Sequence, residues 1–189
     1  MARFNVAVVG HSFVSRLATF SLVHRSMNLD LDQRYQVTFI SRGGLKVQQL
    51  YSLTQDIVSA SRDVIYLEIG TNDLANSTSV DVGDEVLAFA SYLTVMAEVR
   101  SVVISQMFYR DSTISMYPVD DDFNDRVFLY NKYMFEATKS LDNIHFWTHK
   151  GVWADWQQYL LDGVHFNDEG NTKYFNSVRG AVIAATNKL

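Results

Sequence analysis

The sequence contains no cysteine. That excludes a disulfide framework, thiolate metal sites, iron–sulfur clusters and a cysteine nucleophile. Proline occurs once, at Pro118, and no Gly/Ser-rich or low-complexity stretch interrupts the 189 residues. The chain therefore shows no linker, repeat or tail at which to divide it. Basic residues are also few: 16 Lys and Arg against 21 Asp and Glu leave a net charge of −5. They are scattered, without the basic patch that direct nucleic-acid binding or a polybasic membrane anchor requires. No apolar run approaches the ~20 residues of a membrane span, and the N-terminus lacks the charged, apolar and small-residue succession of a signal peptide. What is present is a globular balance, 48% hydrophobic and 20% charged. A chain of this length buries a core without a metal or disulfide staple. One cytoplasmic domain over residues 1–189 is the expectation.

Short β-rich runs alternate with longer amphipathic ones. Phe4–Val9, Gln36–Ile40, Val64–Ile69 and Val102–Met107 read as strands, with Asn143–Trp147 a weaker fifth. Helical spacing fills Phe13–Met27, Lys46–Ser59, Asp84–Arg100, Asn124–Ser140 and Glu169–Thr186. Strand–helix alternation of this kind predicts a parallel sheet with right-handed crossovers and helices on both faces, a three-layer α/β/α domain. In such sheets ligands bind at the carboxyl ends of the strands, so the residues just after each strand are the ones to read.

After the first strand comes Gly10-His11-Ser12, a serine at a helix N-terminus, where free N–H groups and the helix dipole favour an anion. The plain alternative is a helix N-cap. After the second comes Ser41-Arg42-Gly43-Gly44, where backbone approaches a ligand or simply turns. After the third comes Gly70-Thr71-Asn72-Asp73, an amide side chain on the same rim or a local turn. Asp162-Gly163-Val164-His165 precedes the last helix, which Asn167 or Asp168 is placed to cap. Together these segments supply a hydroxyl, an imidazole, a carboxylate and amide donors suited to an oxyanion.

Their order and spacing resemble the SGNH (GDSL-type) hydrolases. VVGHSFVSRL is similar to the family's first block, ISRGGLKVQQL to the second, YLEIGTNDLA to the third and DGVHFNDEGNTKYF to the last. The resemblance runs from end to end. It implies a flavodoxin-like five-stranded parallel sheet and a serine esterase for small oxygen esters, with no metal or organic cofactor. Carried over block by block, it makes Ser12 the nucleophile and Asp162 and His165 its triad partners. Ser12 N–H, Gly44 N–H and the Asn72 amide form the oxyanion hole, with Gly43 the second choice to Gly44.

One position departs from the family, which usually has Asp before the serine where this chain has His11. That departure supports an alternative, a catalytically weak domain that binds an acylated sugar or lipid on the same scaffold. GHSFV-x-RL, His149-Lys150-Gly151-Val152-Trp153 and DGVH-x-N also resemble the SGNH domains of animal retroelement open reading frames, which would make the chain a module of a larger protein. Adjacent residues at a strand end point to opposite sides, so His11 is expected to aim away from the Ser12 hydroxyl and to hydrogen-bond the loops beneath it.

Other candidates have plainer readings. His145 and His149 have i, i+4 spacing, but His145 falls in the fifth strand, where that spacing does not converge on a zinc ion as it does on a helix. Asp120 to Asp125 lacks the glycine and glutamate of a calcium loop and reads as an acidic helix start. Trp147, Trp153 and Trp156 either line a groove or fill the core. Gly43-Gly44 lacks the glycine-lysine-serine/threonine continuation of a P-loop.

Overall fold

The computed structural model describes residues 3–114, 122–151 and 155–189. Pro118, Asp120, Asp121, Val152 and Trp153 lie outside the described residues. Five strands, β1 (Phe4–Gly10), β2 (Tyr35–Ser41), β3 (Val64–Glu68), β4 (Ser101–Ser105) and β5 (Ile144–Trp147), form one parallel sheet in the order β2-β1-β3-β4-β5. This is the flavodoxin-like order. Its direction reverses between β1 and β3, which opens a crevice at their carboxyl ends.

Successive side chains of a strand point to opposite faces, and both faces here are covered. Val6 and Val8 face a layer made by α1 (Ser12–His24) and α5 (Asp168–Thr186), packing with Leu17, Phe20, Tyr174 and Val178. Ala7 and Val9 face the layer of α2 (Thr54–Ala60), α3 (Ser79–Val95) and α4 (Phe123–Ala137), with Ile57, Val86, Phe89 and Tyr130. No helix among the described residues is long and apolar enough to cross a membrane.

The strands fall where the sequence places them to within two residues at each end; α1 and α4 end three residues earlier than expected, and two other helical segments depart further. The run Lys46–Ser59 is not one helix: a 3₁₀ segment, Val47–Leu53, precedes α2. Val47 N–H is taken by the Asp73 carboxylate at 3.3 Å, and Gln49 Oε1 accepts from Lys46 N–H at 2.9 Å, so side chains hold the tighter turn. The helix expected over Asp84–Arg100 starts at Ser79 and ends at Val95. Thr78 is its N-cap, its hydroxyl accepting from Asp81 N–H at 3.2 Å, and Glu98 at φ 56° turns the chain out of it.

Candidate active site

β1 delivers the chain to its carboxyl edge at Gly10, and α1 begins two residues later. His11 occupies the N-cap position but makes no side-chain cap bond. Ser12 is the first helical residue, so the N-cap reading of Ser12 fails. Its hydroxyl is spent elsewhere: Ser12 Oγ lies 2.9 Å from His165 Nε2. The loop before α5 brings the imidazole there. His165 Nδ1 lies 2.9 Å from Asp162 Oδ2, while Asp162 Oδ1 accepts from the N–H groups of His165 and Val164 at 2.7 and 3.1 Å. An ionised carboxylate only accepts, so Nδ1 carries the proton and Nε2 is left to accept from the serine hydroxyl. Asn167, not Asp168, caps α5, accepting from Gly170 N–H at 3.0 Å.

Burial lowers His165 below the usual imidazole range. The Asp162 contact opposes this, and the Arg16 and Arg110 charges add to it. Burial alone raises Asp162, but the hydrogen bonds from His165 and Val164 outweigh it and bring the carboxyl below its ordinary value. The imidazole is thus neutral, and its partner ionised, at neutral pH.

Ser12 and His165 border a cavity of about 700 Å³ whose walls include Gly43, Gly44, Asn72, Asn76 and Arg110. Gly44 has φ +70°, a backbone that β-carbon-bearing residues rarely adopt. Both glycines reach the cavity. Asn72 is half-buried, and its Nδ2 donates to Leu45 O at 3.0 Å, which ties the β3 loop to the glycine loop. Asp73, through Val47 N–H, makes the second tie. Ser12, Gly44, Asn72, Asp162 and His165 are therefore brought together as the sequence predicts.

His11 is where the expectation needs correction. The ring is buried at 1% exposure and borders the Ser12 cavity, yet neither of its nitrogens has a hydrogen-bond partner among the described residues. It faces Glu68 instead, Nε2 to Oε1 at 3.8 Å. Glu68 Oε2 accepts from Ser105 Oγ at 2.5 Å and from Tyr174 O–H at 3.3 Å. Ser105 continues the network to His149 Nε2 at 2.9 Å, and His149 Nδ1 meets Ser177 Oγ at 2.7 Å. Trp147 Nε1 also donates to Ser177, at 2.9 Å. Trp147 and Trp156 pack against the α1/α5 core rather than on the Ser12 cavity. Asp122 precedes α4 without a side-chain cap bond.

Three site residues escaped the sequence reading. Arg110 follows β4, the one internal strand whose carboxyl-end loop was left unread; both Asn124 amide atoms bond its backbone, at 2.9 and 2.8 Å. Arg16, one turn into α1, stands 3.6 Å from Asp162 Oδ2. Glu68 is a lone acid inside the apolar run VIYLEI, which is itself a signal of a buried polar network.

A five-stranded parallel sheet between two helical layers, with a serine, a histidine and an aspartate in hydrogen-bonded series at its carboxyl edge, has the architecture of the SGNH-type hydrolases. The chain belongs to the GDSL-like lipase/acylhydrolase family, whose sequence model matches residues 3–178. A structure from Bacteroides fragilis described as an acylhydrolase superposes with a TM-score of 0.74 at 14% identity, covering 96% of this chain and 87% of that one. A GDSL-like lipase structure from Parabacteroides merdae gives 0.73 at 14% identity, covering 100% and 99%. A catalytic mutant of an acetylxylan esterase from Geobacillus stearothermophilus gives 0.60 at 16%, covering 94% of each. At these identities the likeness is one of fold. No curated protein matches the sequence.

Proposed function

We propose that this hydrolase is a serine esterase that cleaves small oxygen esters, acetyl or short acyl, through an acyl-enzyme on Ser12. The observation that carries this reading is the unbroken series Asp162–His165–Ser12, both ring contacts at 2.9 Å, opening on a cavity that Gly44 and Asn72 also line.

Ser12 Oγ attacks the ester carbonyl as its proton passes to His165 Nε2. Asp162 keeps the ring in the required tautomer and stabilises the imidazolium. The oxyanion is met by the N–H groups of Ser12 and Gly44 and by the Asn72 amide. The free N–H at the first turn of α1 adds the positive end of the helix dipole. The imidazolium returns its proton to the departing alkoxide, and the alcohol leaves. Water then gives a proton to His165 while its oxygen attacks the acyl carbon. Collapse of this second tetrahedral species releases the carboxylic acid and restores the Ser12 hydroxyl with the proton held on His165. Every step uses groups of the chain itself.

Hydrolysis of a short-chain chromogenic ester, combined with labelling by a serine-directed phosphonate, tests the reading. The expected result is turnover and a single modified peptide carrying Ser12. A label on another serine overturns it.

A further inference from the structure

β4 ends at Ser105, and the stretch Gln106–Asp111 then crosses the carboxyl edge of the sheet on two supports from α4. Asn131 accepts from Met107 N–H at 2.9 Å and donates to Met107 O at 3.0 Å. Asn124, about two turns earlier on the same helix, does the same for Arg110, at 2.9 and 2.8 Å. Asp111 N–H donates to Gly163 O at 2.8 Å, inside the loop that carries His165. The backbone of Arg110 is thus fixed from both sides. Its guanidinium carbon lies 4.1 Å from the centre of the Phe123 ring, which is buried in the first turn of α4. A cation–π contact of this kind places a guanidinium without requiring a carboxylate to hold it.

Arg110 and Phe123 both border the Ser12 cavity. Among the described residues that line it there is no Asp or Glu, and both of its histidines are neutral, so Arg110 brings the only formal charge. That charge reaches both rings: after burial it is the next cause lowering His11, and after burial and Arg16 it also lowers His165. The carboxylates beside this stretch are turned to other groups. Asp111 accepts from Thr113 N–H and Oγ1 at 2.9 and 2.6 Å, and Asp162 holds His165. A single fixed cation in a cavity of ligand size, within a chain of net charge −5, marks the place for an anionic group of the ligand. The planar fork of a guanidinium, with five N–H donors, suits a carboxylate while leaving donors for further contacts.

Resting on the esterase reading above, we propose that the substrate is an anionic short ester, whose carboxylate pairs with Arg110 while its ester carbonyl lies at Ser12. A carboxylate on the acyl part, as in the monoester of a dicarboxylic acid, and one on the alcohol part, as in an acylated hydroxy acid, present the same group to Arg110. The experiment separates these two sources.

Steady-state kinetics compares kcat/KM within two pairs of esters that differ in charge: ethyl hydrogen succinate against ethyl succinamate, and acetoxyacetate against acetoxyacetamide. Each amide has nearly the shape of its partner and uses the same base, so the ratio within a pair cancels any change at His165. At least one pair is expected to favour the anion, on the order of tenfold to a hundredfold, the scale of a hydrogen bond to a charged group. Added salt should reduce that preference. Arg110→Gln should bring the ratio close to unity, and Arg110→Lys should retain part of it, as a charge without the fork. Arg62→Gln removes an equal charge at the amino end of β3, the opposite edge of the sheet, and should leave the ratio unchanged. No preference for the anion in either pair, or a preference that survives Arg110→Gln, overturns the proposal. A preference confined to the succinate pair puts the carboxylate on the acyl part, and one confined to the acetoxyacetate pair puts it on the alcohol part. The same four compounds are titrated against Ser12→Ala protein, where turnover does not intervene. A charge preference in binding that Arg110→Gln removes, without turnover or phosphonate labelling of the parent protein, sinks the esterase reading alone.

Discussion

The imidazole Nε2 of His11 stands 3.8 Å from Oε1 of Glu68, and neither atom has a hydrogen-bond partner among the described residues. Two charges sealed in the interior at that separation would carry a large desolvation cost without a hydrogen bond to offset it. Burial, followed by the Arg110 and His165 charges, holds His11 down to about 3, and burial pushes Glu68 up to about 8. The pair is therefore a neutral ring facing a protonated acid at neutral pH. The two residues are also joined through the backbone, His11 N–H donating to Glu68 O at 3.3 Å, and His11 adjoins Ser12 in sequence.

Restoring the family's aspartate at this position should consequently be harmful. His11→Asp places a second carboxyl against Glu68, and is expected to lower stability by ~1–3 kcal/mol more than His11→Asn, the scale for a buried polar group without a partner. Adding Glu68→Gln to His11→Asp should recover most of the difference. Thermal unfolding of the four proteins checks this, and a His11→Asp chain as stable as the parent contradicts it.

The same groups set the pH dependence of stability. His11 and His149, both lowered to about 3 by burial, stay neutral in the folded chain while the unfolded chain takes up protons below about 6.5. Their contribution is complete above about 6.5 and is lost as pH falls toward about 3. Glu68 has the opposite sign: the unfolded chain ionises in the ordinary carboxylate range while the folded one stays protonated to about 8. Stability should therefore also decline as pH rises across that interval. Urea unfolding over the pH range should show both slopes, with His149→Gln flattening the acid side and Glu68→Gln the alkaline side.

Activity should follow His165. In the proposed mechanism its neutral form is the base, and burial lowers its ionisation below the ordinary imidazole value of about 6.5. The kcat/KM profile is expected to rise through a single ionisation below that value. Arg110→Gln removes one of the smaller lowering charges and should move the midpoint slightly upward. Asp162→Asn, which leaves the ring in the wrong tautomer, should reduce kcat on the order of ten-thousandfold. A midpoint indifferent to Arg110 and a mild Asp162→Asn effect would together remove His165 from the base role.

Asn72 divides its amide between Leu45 O and the cavity. Asn72→Ala should lower kcat on the order of a hundredfold or more, with a much smaller change in KM, because the oxyanion exists only in the transition state. Steady-state kinetics separates the two. A KM effect with kcat intact would make the side chain a ground-state contact.

What the sequence disclosed of this molecule follows a physical divide. Doubly covered strands are continuous Val/Ile runs, so β1, β3 and β4 stand out by composition alone. Ser12, Gly44, Asn72 and His165 were legible because each lies just beyond a strand or just before a helix, where this sheet type gathers its ligand-facing residues. The helices after β2 and β3 were misplaced because side-chain hydrogen bonds moved their starts: Asp73 to Val47 in one, Thr78 to Asp81 in the other. The Glu68–His11 contact spans strands and has no local spacing to betray it. Arg110 was in view but unread.

The serine and its histidine partner meet across 153 positions of sequence. Residue 12 is made 153 residues ahead of residue 165. On the proposed mechanism, a chain synthesised only as far as the residues before His165 has the hydroxyl without its base and does not attack esters. Folding must close that long loop before function begins, a slow class of contact. Regain of hydrolysis after dilution from denaturant thus times the docking of the α5 region on β1, separately from the spectroscopic return of the sheet.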